Sequence, residues 1–169
     1  MDALTAIMTR RSIRKYRQKR IPLEMIETLL RAGMTAPSAR NKQPWEFVVI
    51  QSREVLDDIA QWHPYAKMLY EAFVAILVCA NMKIQEMEGY CALDCAAATE
   101  NILILAHALG LGAVWIGIYP RAERIVKTRE VLSLPPFILP ISLVSLGYPA
   151  EEKAPASRFD KGKVHFDKW

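Results

Sequence analysis

The stretch Tyr90–Leu109, YCALDCAAATENILILAHAL, constrains the fold more than any other part of the chain. Its composition is helical and it is apolar around most of its circumference. A water-exposed helix needs one polar face, so a helix of this kind is buried on nearly all sides or spans a membrane. Asp94, Glu100, Asn101 and His107 fall inside it, and ionisable groups are costly in a bilayer. The reading is therefore a core helix, and in a chain of 169 residues a partner subunit is the expected source of its extra cover. FVAILVCA at 73–80 is its natural counterpart. An apolar run of strand length, with no polar alternation, predicts a central strand covered on both faces by helices.

Around these two segments the chain alternates helices and strands. A short helix over 2–9 precedes the basic run RRSIRKYRQKR. In PLEMIETLLRAGM, Leu23, Ile26, Leu29 and Leu30 recur at helical spacing, Pro22 suits the first turn and Gly33 the end. TAPSARNKQPW must be a loop and WEFVVIQ a strand. REVLDDIAQW predicts an amphipathic helix closed by His63-Pro64. Then come a strand over Ala113–Ile118, a helix near Arg121–Leu132 and a last strand in PISLVSLGYP. The polar tail from 151 to 169 ends in VHFDKW, and exposed Phe and Trp usually pack on something.

Length and composition suit one folded domain over 1–169. The net charge of +4 suggests a polyanion binder until its distribution is considered. Residues 10–20 carry seven of the 22 basic side chains and no acid, leaving 15 basic against 18 acidic elsewhere. A nucleic-acid groove needs positive charge over a whole face, so neither nucleic acid nor membrane is the expected partner. Cys79, Cys91 and Cys95 lie in apolar stretches and read as reduced and buried, which points to the cytoplasm. Cys91 and Cys95 are one helical turn apart but lack further ligands for a metal. The first residues lack the pattern of a signal peptide.

Familiar catalytic signatures are missing: there is no GxSxG, CxxC, HExxH or Walker lysine loop. His63, His107 and His165 lie far apart without triad context. Gly110-Leu111-Gly112 follows a helix, so it reads as a helix C-cap and not as a dinucleotide fingerprint.

What remains is a set of loops suited to phosphate and amide recognition. RRSIRKY, then APSARNKQPWEFVVI, GLGAVWIGIYP and an Arg-containing tail occur in the order and spacing of the nitroreductase family of flavoproteins, which this chain resembles over nearly its whole length. The resemblance implies an α+β fold, with a central mixed β-sheet flanked by helices. It also implies a domain-swapped homodimer whose tail reaches over the partner, with FMN at the subunit interface. By position, Arg10, Ser12 and Arg14 hold the FMN phosphate with Arg11 nearby, joined by Arg158 and Lys161 from the tail. Guanidinium forks match phosphate geometry, and a hydroxyl adds a neutral donor.

Pro37, Ser38, Ala39, Asn41 and Gln43 match the family segment that lines the flavin, whose edge alternates donors and acceptors. On their own, Asn41 and Gln43 fit loop-closing hydrogen bonds equally well. Ile116, Gly117 and Ile118 match the backbone stretch lying against the ring, where glycine permits close approach, although an ordinary strand glycine reads the same way. Trp45 is expected to anchor the core. WHPYAKMLYEAF is the candidate cover of the site, with Tyr65 and Lys67 as substrate contacts.

The implied activity is ping-pong hydride transfer from NADH or NADPH to nitroaromatics, quinones or related small electrophiles, with no catalytic side chain and no metal. Two other classes compete. One is different chemistry on the same flavin fold, reductive dehalogenation or flavin fragmentation. The other is an interaction module built on the basic run.

Overall fold

In the computed structural model, which describes residues 1–169, β3 (Val74–Asn81) and β5 (Ile138–Pro149) are the spine of one sheet. β2 (Trp45–Ile50) pairs with β3, while β4 (Gly112–Gly117) and the two-residue β1 (Tyr16–Arg17) both pair with β5. Every ladder between these strands is antiparallel, and the sole parallel element is a bridge from Ser12 to Ala113. The mixed sheet implied by the resemblance is, within this chain, an antiparallel sheet with that one parallel contact.

β3 is covered on both faces, as its unbroken apolar run requires. Val74, Ile76, Val78 and Ala80 enter a core shared with α2 (Leu23–Met34) and α4 (Glu88–Ala108). Ala75, Leu77 and Cys79 point the other way, toward α3 (Arg53–Trp62), the turn at Lys67–Tyr70, and α5 (Ala122–Leu132). A bulge in β5 sits where Val78 faces Ser142 while Cys79 faces Pro140. Proline has no N–H to give a ladder, and a bulge is where a sheet tolerates it. The extra residue lets Leu139 and Ile141, then Val144 and Leu146, all reach the first core.

α4, expected from its composition to be buried on nearly all sides, has eight of its 21 residues buried in this chain, against the sheet, α2 and α1 (Ala3–Thr9). Leu93, at 67% exposure, and Tyr90 remain open. This is also the one helix long and apolar enough to cross a membrane by length and composition. α4 ends at Gly110, whose φ of +77° suits a residue without a Cβ, and Leu111 N–H bonds back to Ala106.

Gly33 differs from its expected role. It lies inside α2, where a Cβ would come 3.1 Å from both Ile102 Cδ1 and Phe47 Cζ, so it is a packing glycine and Thr35 caps the helix. β1 was hidden in the basic run, where Ile13 and Tyr16 are buried and Lys15, Arg17, Lys19 and Arg20 face solvent. Residues 154–169 are exposed throughout.

Candidate active site

The segment that precedes β1 is clamped to β4 by its apolar residues. Ile13 N–H donates to Ala113 O at 3.0 Å, and the Ile13 side chain lies over Gly112. That inward residue leaves its neighbours outward. Arg10 pairs with Glu100 of α4, Nε to Oε1 3.2 Å. Glu151 Oε1 accepts the backbone N–H of Arg14 at 2.6 Å, and Lys153 Nζ donates to the Ser12 carbonyl at 2.8 Å. The Arg14 N–H, with help from Lys153, holds the Glu151 carboxyl below its usual range. Arg11 turns elsewhere: its Nε is buried without a partner, and it lines a cleft of about 340 Å³ with His107, Leu111 and Lys153.

A second cleft, of about 420 Å³, opens at the far end of β4. Arg14, Tyr65, Lys67, Ile116 and Gly117 all border it, so it unites residues from three separate parts of the chain. Ile118 is buried just behind. Lys67 sits at the rim with its ammonium turned back to cap α3, donating to Ala60 O at 2.9 Å. Arg53 anchors the same cover from behind, bonding the carbonyls of Ala72 and Leu69.

Beneath the rim, His63 is completely buried. Tyr65 N–H donates to its Nδ1 at 3.2 Å, which places the ring proton on Nε2, 3.1 Å from Gly117 O. Arg124 Nη1 donates to the same oxygen at 2.8 Å. Burial, reinforced by the Arg124 charge and opposed by the bond to Gly117, pushes the His63 pKa down and keeps the ring neutral.

The Pro37–Gln43 loop is not in this cleft. It sits where Pro44 O receives the Asn81 N–H and where Asp94, from α4, accepts the Ala39 N–H at 2.9 Å. Arg40, Asn41 and Gln43 have φ near +50°, at 55, 54 and 51. Gln43 N–H bonds Ser38 Oγ, and Gln43 Nε2 bonds Asn41 Oδ1 at 3.1 Å, so within one protomer these amides close their own loop. Pro37, Asn41 and Gln43 are exposed. Arg158 and Lys161 lie in the exposed tail, making no ion pair or side-chain hydrogen bond to the N-terminal segment. The cysteines are free and buried; burial pushes the Cys79 thiol up to about 12 and raises the Cys91 and Cys95 thiols, so none is a poised nucleophile. Sequence reasoning missed His63, Arg124, Asp94, Glu151 and Lys153 as site residues. The available signal was His63-Pro64 closing α3 just before the presumed cover.

The fold and cleft define a class, and comparison with known proteins names it. The model of the nitroreductase family matches residues 7–74 and 60–148. A protein of Methanothermobacter thermautotrophicus named "Putative NADH dehydrogenase/NAD(P)H nitroreductase" is 45% identical over 169 residues, covering 100% of this chain and 88% of that protein. A crystal structure bearing the same description, from Bacteroides thetaiotaomicron, superposes with a TM-score of 0.95 at 43% identity over 99% of this chain and 98% of that one. An FMN-dependent nitroreductase from Clostridium difficile R20291 superposes with a TM-score of 0.91 at 30% identity, covering 98% and 99%. The chain belongs to the nitroreductase family.

Proposed function

We propose that the protein is an FMN-dependent NAD(P)H oxidoreductase acting as a homodimer, with FMN at the subunit interface. The observation that carries this reading is the meeting of Arg14, Tyr65, Lys67 and the Ile116–Gly117 backbone around one cleft. The donor set fits the cofactor. Arg10, Ser12 and Arg14 supply guanidinium and hydroxyl donors for a phosphate. The Ile116–Gly117–Ile118 backbone offers a flat wall to a ring, and Gly117 leaves room there, since a Cβ would meet only Arg124 Nη1, at 3.9 Å. Arg11, whose guanidinium faces the other cleft, stays in the second rank.

Bound FMN would supply two-electron hydride chemistry between NADH or NADPH and a nitroaromatic, quinone or related electrophile, the two binding in turn in the same slot. The chain's own residues bind, orient and exclude water. Arg14 places positive charge at the cleft, where it favours electron-rich forms of whatever occupies it. Tyr65 and Lys67 form the rim over which the electrophile enters. Within one protomer Pro37, Ser38, Ala39, Asn41 and Gln43 lie outside the cleft, and Arg158 lies in the tail, so in this reading a second copy brings both to it. Three free, buried cysteines suit a reducing compartment, and we place the protein in the cytoplasm.

Purified protein should be yellow, and protein stripped of flavin should bind added FMN, quench its fluorescence and then oxidise NADH or NADPH with an added quinone. Colourless protein that neither binds nor quenches FMN refutes the reading.

A further inference from the structure

The His63 ring is the one buried polar group in the molecule that bonds both sides of the cleft. We propose that His63 is a positioning residue coupling the rim to the floor: Nδ1 fixes the backbone of Tyr65, Nε2 fixes the carbonyl of Gly117, and Arg124 braces both. This goes beyond the assignment of a flavin site and rests on it.

The Gly117–Ile118 peptide is held on one side by the Ile118 N–H, which donates to Ile141 O at 3.3 Å, and on the other by what the Gly117 carbonyl meets. Two donors from two different elements converge on that oxygen, His63 Nε2–H from the end of α3 and Arg124 Nη1–H from α5, and an sp² oxygen has two lone pairs to receive them. Tyr65 is 70% exposed, and an exposed tyrosine is ordinarily free to swing. Here its N–H is tied to Nδ1, its ring meets the His63 ring edge-on at 6.3 Å, and the Arg124 guanidinium lies over it at 5.5 Å. The same two side chains therefore hold the rim and the floor, and a change at one is felt at the other. Burial with a depressed pKa keeps the ring neutral, as the arrangement requires, because a proton on Nδ1 would oppose the Tyr65 N–H.

Two substitutions separate the arms. His63→Asn keeps an acceptor where Nδ1 was and loses the reach to Gly117, whereas His63→Gln keeps a donor toward Gly117 and loses the acceptor for Tyr65. With a quinone as acceptor, His63→Asn should lower kcat about fivefold with little change in acceptor KM, the size of one hydrogen bond. His63→Gln should raise acceptor KM about fivefold with little change in kcat. Nitrogen NMR of the wild-type ring, with or without FMN, should show a protonated Nε2, an acceptor Nδ1, and no titration across the ordinary histidine range. Should either His63 variant fail to fold, Arg124→Gln serves, and it should move both constants together. The inference is overturned by an opposite tautomer, by ordinary titration of the ring, or by Asn and Gln variants that shift kcat and KM in the same proportion. Wild-type protein that binds no FMN sinks the parent reading instead, and the ring-nitrogen spectrum still decides the clamp.

Discussion

The imidazole of His63 donates from Nε2 to the carbonyl oxygen of Gly117 at 3.1 Å, across 54 residues of sequence. It joins the C-terminal end of α3 to the C-terminal end of β4. Without it the buried Nε2–H would have no acceptor, and an unpaired buried polar group costs more than a made hydrogen bond contributes, whereas the Gly117 oxygen would keep its Arg124 donor. The bond thus stabilises the corner of the sheet that carries the cleft. The ring must also stay neutral to serve its second partner: protonation keeps the Nε2–H bond to Gly117 but puts a proton on Nδ1, which then no longer accepts the Tyr65 N–H.

That condition gives a pH dependence. The folded-state pKa of His63 lies below its ordinary 6.5, chiefly through burial, and His107 is depressed likewise by burial and the Arg10 charge. Between the folded and unfolded values the unfolded chain binds more protons, so stability rises with pH. It should be complete above 6.5 and lost as pH falls through the depressed values. Urea midpoints measured across this window should decline toward acid, and His63→Gln should flatten the slope. A wild-type midpoint independent of pH there contradicts the assignment.

Gly112 and Gly147 should tolerate no side chain. A Cβ on Gly112 would stand 2.6 Å from Ile13 Cγ2, and one on Gly147 2.6 Å from Tyr16 Cδ1. Each alanine substitution should cost about 1–3 kcal/mol through overpacking, read by denaturant unfolding. Because Ile13 holds the Arg10–Arg14 segment, Gly112→Ala should also weaken FMN binding in a fluorescence titration. Gly89, in the first turn of α4, has nothing within 4 Å of its built Cβ, and alanine there should be neutral or stabilising by about 0.5–1 kcal/mol.

The proposed hold of Arg10 and Ser12 on the FMN phosphate should be separable from folding. The Arg10–Glu100 pair is part-exposed, with side-chain exposures of 22% and 44%, so its loss should change stability by about 1 kcal/mol or less. A charge-assisted bond to phosphate is worth about 1.5–3 kcal/mol, which is roughly tenfold to a hundredfold in FMN affinity. Arg10→Ala should therefore bind FMN weakly while unfolding near the wild-type midpoint, and Ser12→Ala should show a smaller loss. Wild-type affinity in both variants refutes the assignment.

Legibility in the sequence followed the range of the forces involved. β3 could be read directly because an unbroken apolar strand is buried on both faces, and α4 could be read as a helix, although only part of its circumference is buried in this chain. α3 was readable to its last residue, since its periodicity stops at His63-Pro64. β1 was not, because its pairing is supplied by Tyr148 and Pro149 and its two residues, Tyr16 and Arg17, sit in a run of charged neighbours. Gly33 looked like a helix end because a sequence shows its missing Cβ but not Ile102 and Phe47 pressing on it. At the site, Arg14, Tyr65, Lys67 and Gly117 were named by position and now share a cleft. His63 was passed over, since its partners are backbone groups, which carry no signature in a sequence.

The tail poses the last test. Phe159, Phe166 and Trp169 are 82%, 83% and 101% exposed, and Leu4, Ile7 and Met8 of α1 and Leu93 of α4 are exposed as well. Exposed apolar side chains in this number fit the proposed homodimer, in which another copy covers them. If the tail of each protomer crosses to the other, as in the proposed homodimer, sedimentation should give twice the chain mass. The root of the tail is tied to its own chain through Glu151 to Arg14 and Lys153 to Ser12, so a deletion that spares these residues leaves the phosphate segment braced. Removing residues 154–169 should then leave a folded chain that sediments closer to a monomer and holds FMN less tightly, because both the apolar anchors and Arg158 are gone. A full-length protein that sediments as a monomer, or a truncated one with undiminished dimer and FMN affinity, removes the tail from the site.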